Sequence, residues 1–168
     1  MTYTTLRWLL IPATILHNFE EWATLPLYGH VGTVLQQRFG ISLEIPALPV
    51  IEVALLLVSL ASVALIVAGS VGTPSRTKTW LVCFVTSIYL ANVFIPHVPA
   101  AFITGGYVPG LGTALFINLP VCSLLLRQAT RENMLSQRSL SLTVGLAVVS
   151  LPIIITATFW VSSLLITA

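Results

Sequence analysis

Three ionisable side chains, His17, Glu20 and Glu21, interrupt an otherwise apolar stretch near the N-terminus. Their offsets of three and four residues place both carboxylates on the imidazole's side of one helix. A charge at bilayer depth costs at least ~2.5 kcal/mol on insertion scales, so such residues face a protein interior. An imidazole and a carboxylate at this spacing can bind a metal ion or transfer protons. This motif is therefore the first candidate for a reactive site.

The composition places the motif in a membrane. Of the 168 residues, 57% are hydrophobic and only 7% are charged, whereas soluble domains carry about 25% charged residues. A water-soluble surface cannot be built from these residues, and the length leaves no room for a separate soluble module. The sequence predicts one transmembrane domain, residues 1–168, whose partners are the lipid bilayer and a lipid-like small molecule. No nucleic-acid partner is expected.

Five apolar stretches are each close to the ~20 residues that a membrane-spanning helix needs. They are residues 6–25, 46–71, 79–101, 109–126 and 140–166. The pattern predicts an all-α integral membrane protein, a bundle of five helices. Between the first two spans, Val31, Val34, Leu35 and Phe39 recur at helical spacing. This spacing predicts a short amphipathic helix at the membrane interface.

The basic residues predict the orientation of the bundle. With five spans, six of the seven Lys and Arg side chains fall on one side of the membrane, and Arg38 falls on the other. The positive-inside rule then gives a cytoplasmic N-terminus and an outer C-terminus. The expected location is the bacterial inner (cytoplasmic) membrane. The six residues are Arg7, Arg76, Lys78, Arg127, Arg131 and Arg138.

The same topology brings the strongly polar residues of four spans to the outer half or the midplane of the membrane. Beyond the first motif these residues are Glu52, Asn92, His97, Tyr107 and Asn118. The inner half of the membrane contains almost none. This distribution indicates one cavity, built by four helices and open toward the outer face.

A second imidazole, His97, extends the chemistry that this cavity can support. Two histidines and a carboxylate with an open position suit a catalytic zinc or a non-haem iron ion. We expect His17, Glu20 and His97 to bind the metal, zinc in preference to iron, and Glu21 to act as a base on a metal-bound water. Catalytic roles are also assigned to Glu52 and Tyr107. Substrate-binding roles are assigned to Trp22, Phe94, Asn92 and Asn118.

At this point the motifs resemble a known family. The segment Leu16-His17-Asn18-Phe19-Glu20-Glu21-Trp22, the later His97 and the stretch Tyr107-Val108-Pro109-Gly110 resemble the HXXEE-domain proteins. These are small bacterial integral membrane proteins without an established function. Their pattern pairs His-x-x-Glu-Glu with another histidine and a Tyr-x-Pro-Gly segment. The resemblance implies an enzyme of unknown reaction, and it carries over neither a substrate nor a metal.

Three functions fit these observations. The favoured one is a metal-dependent hydrolase acting on an amphipathic or lipid-like substrate. The second is a metal-free acid–base isomerase or cyclase of sterol- or terpene-like lipids, which aromatic side chains would favour because rings stabilise carbocations. The candidate ring-bearing residues are Phe19, Trp22, Phe94 and Tyr107. The third is a non-enzymatic carrier or a lipid- or metal-binding protein, against which the lack of an internal repeat argues.

The same residues also have structural interpretations. The first motif can be a hydrogen-bonded cluster that holds helices together, and His97 can bond carbonyls freed by its neighbouring prolines. Asn92 and Asn118 are typical of hydrogen bonds between helices. Tyr107 begins a stretch whose proline is typical of a helix start. The distinguishing observation is whether the first and third spans turn their histidines toward each other.

Overall fold

The computed structural model describes residues 1–40, 42, 45–73 and 75–167, and within these ranges the chain is helical, without strands. The all-α expectation is confirmed. The helices are α1 (Tyr3–Ala23), α2 (Tyr28–Phe39), α3 (Leu48–Ser70), α4 (Arg76–Thr104), α5 (Leu111–Arg131) and α6 (Gln137–Thr167). A 3-10 turn, Leu25–Leu27, joins α1 to α2.

Among the described residues, the four helices α3 to α6 are long and apolar enough to cross a membrane. Their outward faces carry exposed aliphatic side chains such as Leu60 and Val149, as expected for helices that contact lipid. Helix α1 has 21 residues and packs against α3 and α5. Its charged residues and lower hydropathy distinguish it from those four helices.

The helices extend beyond some of the apolar stretches because their ends depend on capping groups. Helix α4 begins after Ser75, whose hydroxyl accepts a hydrogen bond from the Lys78 backbone N–H at 3.2 Å. It ends at Gly105, which adopts the left-handed conformation with φ +69°. Polar caps of this kind lie outside a hydropathy pattern. The predicted span of residues 79–101 is therefore shorter than the helix.

One end of the bundle, the basic end, collects the N-terminus and the connections α3–α4 and α5–α6. Gln128 donates to the Met1 carbonyl at 2.6 Å, and Glu132 accepts from the Tyr3 N–H at 2.9 Å. Arg76 donates to the Ser139 hydroxyl at 3.1 Å. These contacts gather the segments that carry six of the seven basic residues. The apolar core of α1, α4 and α5 lies next to this end, with Leu6, Leu10, Val82 and Leu125 fully buried.

At the opposite end, the polar end, the described residues include two π-helical turns, Val93–His97 in α4 and Ala114–Asn118 in α5. Pro96 lies in the first turn and lacks the N–H that a regular helix needs. Residues five apart point about 140° away from each other in an α-helix, whereas π-turn hydrogen bonds join residues five apart. The turn therefore brings Asn92 and His97 to the same face of α4.

Candidate metal centre

Helices α1 and α4 turn His17, Glu21 and His97 toward one another at the polar end. One ligand atom from each residue lies within 4.8 Å of the other two. His97 Nε2 is 3.5 Å from Glu21 Oε1, and the two imidazole rings meet edge-on with centroids 4.9 Å apart. All three side chains are buried. Two nitrogens and one carboxylate oxygen converging in a buried place form a donor set suited to a divalent metal.

Asn92 lies between the two imidazoles. Its amide nitrogen is 3.1 Å from His17 Nε2 and 2.9 Å from His97 Nε2. An amide nitrogen has two hydrogens and accepts no hydrogen bond, so it donates one to each Nε2 and both nitrogens present lone pairs. The His17 ring proton is then on Nδ1, which lies 3.0 Å from Thr113 Oγ1. Both Nε2 lone pairs therefore point into one space, as metal ligation requires.

Glu21 is held by a residue of the next helix. The Tyr28 hydroxyl, at the start of α2, donates to Glu21 Oε1 over 3.2 Å. Burial, and next the adjacent carboxylate, raise the pKa of Tyr28 above its ordinary value. The phenol therefore keeps its proton and remains a donor. Because the same Oε1 also faces His97, Tyr28 positions the carboxylate toward the imidazole.

Glu20 bonds instead to the start of α5. Its Oε1 accepts from the Tyr107 hydroxyl and from the Gly112 N–H at 3.0 Å, and its Oε2 accepts from the Thr113 N–H at 2.5 Å. The first N–H groups of a helix have no partner within the helix, and the helix dipole favours an anion beside them. Burial, and next the Glu20 carboxylate, raise the pKa of Tyr107 to about 12, so its hydroxyl also stays a donor.

The structure thus differs from the expected assignment, in which Glu20 is a ligand and Glu21 is the base. Glu21 is the carboxylate beside the histidines, and Glu20 caps α5. On an ideal helix, Glu21 lies about 40° to one side of His17 and Glu20 about 60° to the other. Both directions are compatible with an inward-facing site. The positions of α4 and α5 around α1 decide which carboxylate meets which neighbour.

Gly110 closes the centre from the side of α5. Its φ is +76°, a conformation that favours glycine. A Cβ at this position would lie 2.6 Å from Glu21 Cγ, 2.8 Å from His97 Cε1 and 3.0 Å from His17 Cε1. The Tyr-x-Pro-Gly stretch therefore leads into α5. Its glycine, Gly110, has no side chain and so leaves room for His17, Glu21 and His97.

The other predicted site residues lie in different surroundings. Glu52 is exposed on α3 and lines a shallow groove with Phe19 and Trp22. Trp22 is 50% exposed and Phe94 is 55% exposed. These side chains border the outside of the bundle, and the structure does not bring them to the histidines. Asn118 is fully buried, and its amide has no hydrogen-bond partner in the described part of the chain.

Three residues of the centre were not singled out from the sequence. Tyr28 follows Glu21 by seven residues, which is about two helical turns and thus the same face of a nearly continuous helix. Gly112 and Thr113 follow the glycine of Tyr-x-Pro-Gly by two and three residues, in the first turn of α5, where helix N–H groups need an acceptor. The spacing of Tyr28 from Glu21 and the position of Gly112 and Thr113 in that first turn are the sequence signals of these contacts.

Replacing Glu20 by glutamine is expected to destabilise the protein by about 1.5–3 kcal/mol, the usual value for hydrogen bonds to a charged group. The variant side chain has one oxygen for two backbone donors, so its NH₂ group would face an N–H of α5. Thermal unfolding in detergent, compared with the exposed control Glu52→Gln, measures the effect. Equal stability of the two variants would contradict the capping role of Glu20.

A family described as "Protein of unknown function with HXXEE motif" matches residues 8–125 of the chain. The matched region runs from α1 to α5 and includes every residue of the centre described above. No curated protein and no solved structure has a significant match to the chain.

Proposed function

The chain belongs to the HXXEE family, and from that premise we propose that it is a membrane-embedded, metal-dependent hydrolase acting on an amphipathic or lipid-like substrate. The observation that carries the proposal is the convergence of one ligand atom each from His17, His97 and Glu21 within 4.8 Å of one another. Two histidines and one carboxylate with an open fourth position are the donor set of catalytic zinc sites.

The distances support zinc as the ion. Zinc binds nitrogen and oxygen ligands at about 2.0–2.2 Å, so ligand atoms at tetrahedral angles are roughly 3.4 Å apart. His97 Nε2 and Glu21 Oε1 are already 3.5 Å apart. An ion held by His17, His97 and Glu21 would replace the Asn92 amide hydrogens as the partner of the two Nε2 lone pairs.

The residues around the centre supply the remaining requirements of ester or amide hydrolysis. A bound zinc ion polarises the substrate carbonyl and lowers the pKa of a water molecule to about 7. In the reaction the water oxygen bonds to the acyl carbon, the bond from that carbon to the leaving group breaks, and a proton passes to the leaving group. Tyr28 carries a proton beside Glu21 and is the candidate donor. The proton lost by the attacking water replaces the one that Tyr28 gives up, so one water molecule supplies both the oxygen of the acyl product and the proton of the leaving group.

The proposed topology has five spans, α1 included, with a cytoplasmic N-terminus and an outer C-terminus in the bacterial inner membrane. The packing of α1 against α3 and α5 supports a five-helix bundle. The basic residues at the N-terminal end support the orientation through the positive-inside rule. The polar end then lies in the outer half of the membrane, where the centre is within reach of substrates in the outer leaflet.

Elemental analysis of protein purified without chelators tests the metal. We expect stoichiometric zinc in the natural protein and none in the double variant His17→Ala, His97→Ala. Hydrolysis of p-nitrophenyl esters is expected to stop on treatment with a strong chelator and to return with added zinc. Protein that contains no metal, or a double variant that retains it, overturns the proposal.

A metal-free isomerase or cyclase is the second candidate, because the described residues satisfy the cluster without an ion. Asn92 bridges both imidazoles, and Tyr28 supports Glu21. A buried carboxylate beside an imidazole is then an acid–base pair for a proton shift in a lipid. Turnover of a terpene-like substrate that is indifferent to chelators and lost in Glu21→Gln would favour this function.

A further inference from the structure

A groove lies between α3, α4 and α6 and consists of two adjoining cavities. The upper cavity, at the polar end, has a volume of about 240 Å³, and the lower one about 370 Å³. Their common wall is formed by Val58, Ile88, Ile154 and Thr158. We call the two together the α3–α6 groove.

The upper end of the groove carries polar groups that belong to the candidate metal centre. Glu21 and Asn92 line the upper cavity, and Tyr28 and Asn18 lie beside them. The same two residues contact the histidines, at 3.5 Å from Glu21 and at 2.9 and 3.1 Å from Asn92. Two residues of the centre, Glu21 and Asn92, therefore form the polar end of the groove.

The rest of the groove presents hydrocarbon. Where hydroxyls occur, they already have partners: Thr158 donates to the Ile154 carbonyl at 2.6 Å, and Ser62 accepts from Tyr89 at 3.0 Å. The cavity exists because small side chains, among them Ala61 and Ala157, lie where α3 and α6 face each other. Apart from the hydroxyls of Thr158 and Ser62, the described side chains that line the lower cavity are hydrocarbon.

The length and location of the groove indicate which kind of ligand fits in it. Along α3 the groove runs from Ile51 to Leu65, which is about 21 Å at 1.5 Å per residue. Its walls are helices long and apolar enough to cross a membrane, so it lies in the hydrocarbon region. One leaflet of that region is about 15 Å thick. A ligand of this shape is long, apolar and unbranched, with its polar group at one end.

We propose that the α3–α6 groove holds the chain of a single-chain lipid, a fatty acyl ester or amide, with its carbonyl head at Glu21 and Asn92. The inference rests on the proposed function, since it names the substrate class of the same centre. The acyl chain lies along α3 and α6, and its length selects long-chain substrates. The bond to be cleaved is thereby placed beside Glu21 and Asn92, the two groove residues that contact the histidines.

Photolabelling tests this site with a palmitic acid analogue that carries a diazirine at the middle of its chain. The full-length protein is reconstituted in phosphatidylcholine nanodiscs, irradiated and analysed by peptide mass spectrometry. We expect labels on Val58, Ile88 and Ile154, with loss of these labels in Ile154→Trp, which fills the groove. The matched control is Ile153→Trp, because Ile153 neighbours Ile154 on α6 and is 64% exposed on the outer face.

Ala61→Phe fills the lower cavity from α3, the opposite wall. Because it is an independent substitution, it still tests the site if Ile154→Trp does not fold. Both groove variants are expected to lose labelling while Ile153→Trp keeps it. Labels spread over exposed residues such as Leu56 and Leu60, and unchanged in both groove variants, would overturn the inference. Displacement of the label by cholesterol but not by unlabelled palmitate would overturn it as well, because the ligand would then be a fused-ring lipid.

The outcome is separable from that of the proposed function. Groove-specific labelling in a protein that contains no metal would support the proposed lipid site and contradict the proposed hydrolase function. Zinc-dependent hydrolysis without groove-specific labelling would support the hydrolase function and contradict the lipid site. If both hold, the groove variants should lose more of the hydrolysis of p-nitrophenyl palmitate than of p-nitrophenyl acetate, because the acetate ester does not reach the lower cavity.

Discussion

Replacing Glu21 by glutamine is expected to abolish metal binding, whereas the same replacement of Glu20 is expected to leave it intact. Glu21 Oε1 is 3.5 Å from His97 Nε2, and a neutral amide is a poor substitute for a carboxylate ligand. Loss of a residue that merely supports a ligand already lowers metal affinity about 10–100-fold. Loss of the ligand itself should exceed that range. Zinc affinity measured against a competing chelator, together with elemental analysis, gives the comparison.

The adjacent glutamate is a matched control because it has the same side chain on the same helix and a different set of partners. Glu20 is engaged by Tyr107 and by two backbone N–H groups of α5. Its glutamine variant should lose stability and keep zinc, and the Glu21 variant should lose zinc. Loss of zinc in Glu20→Gln alone would restore the ligand assignment expected from the sequence. If both variants lose zinc affinity and stability to the same extent, the two glutamates do not have the different roles that their contacts indicate.

Gly110→Ala is expected to be the most damaging single-methyl change in the polar end. A residue other than glycine costs about 1–2 kcal/mol in the left-handed conformation, and overpacking adds about 1–3 kcal/mol. The added carbon would lie within 3.0 Å of atoms from Glu21, His97 and His17. We therefore expect a loss of about 2–5 kcal/mol in the free energy of unfolding. Weaker zinc binding should accompany it.

Gly105→Ala separates the two contributions. Gly105 has a similar φ of +69°, but a Cβ there would meet no atom within 4 Å. This variant should lose only the conformational part, about 1–2 kcal/mol, and should bind zinc normally. Denaturant unfolding in detergent and zinc titration of both variants measure the difference. If the two alanines are equally costly, or if zinc binding is unchanged in Gly110→Ala, the glycine does not shape the centre.

Much of the architecture follows from the sequence because the free energy of transferring a segment from water to lipid depends on its residue composition. A chain with 7% charged residues must bury its backbone polar groups in helices once it is in lipid. The helices α3 to α6 therefore agree with the apolar stretches to within a few residues at each end. The charged motif in α1 is compatible with lipid only if it faces other helices. The sequence alone therefore predicts that His17 points toward other helices.

The partners of each polar side chain depend on features that have no local signature. The π-turn at Val93–His97 places Asn92 on the same face as His97, whereas a regular α-helix would separate them by about 140°. The start of α5 supplies two N–H groups that engage Glu20 and leave Glu21 to the histidines. The small residues between α3 and α6 leave a groove only because those helices face each other.

By itself, the sequence determined that this protein is helical, that it has segments long and apolar enough to span a membrane, and that it carries a His-x-x-Glu-Glu motif whose charges require shielding in lipid. Those properties depend on transfer free energies and on helical periodicity, which act residue by residue. The tertiary structure decided which carboxylate meets the imidazoles, which residue bridges them and where an apolar groove reaches them. Those properties depend on the relative rotation and spacing of helices, and side-chain contacts over a few ångströms are not encoded in any single segment.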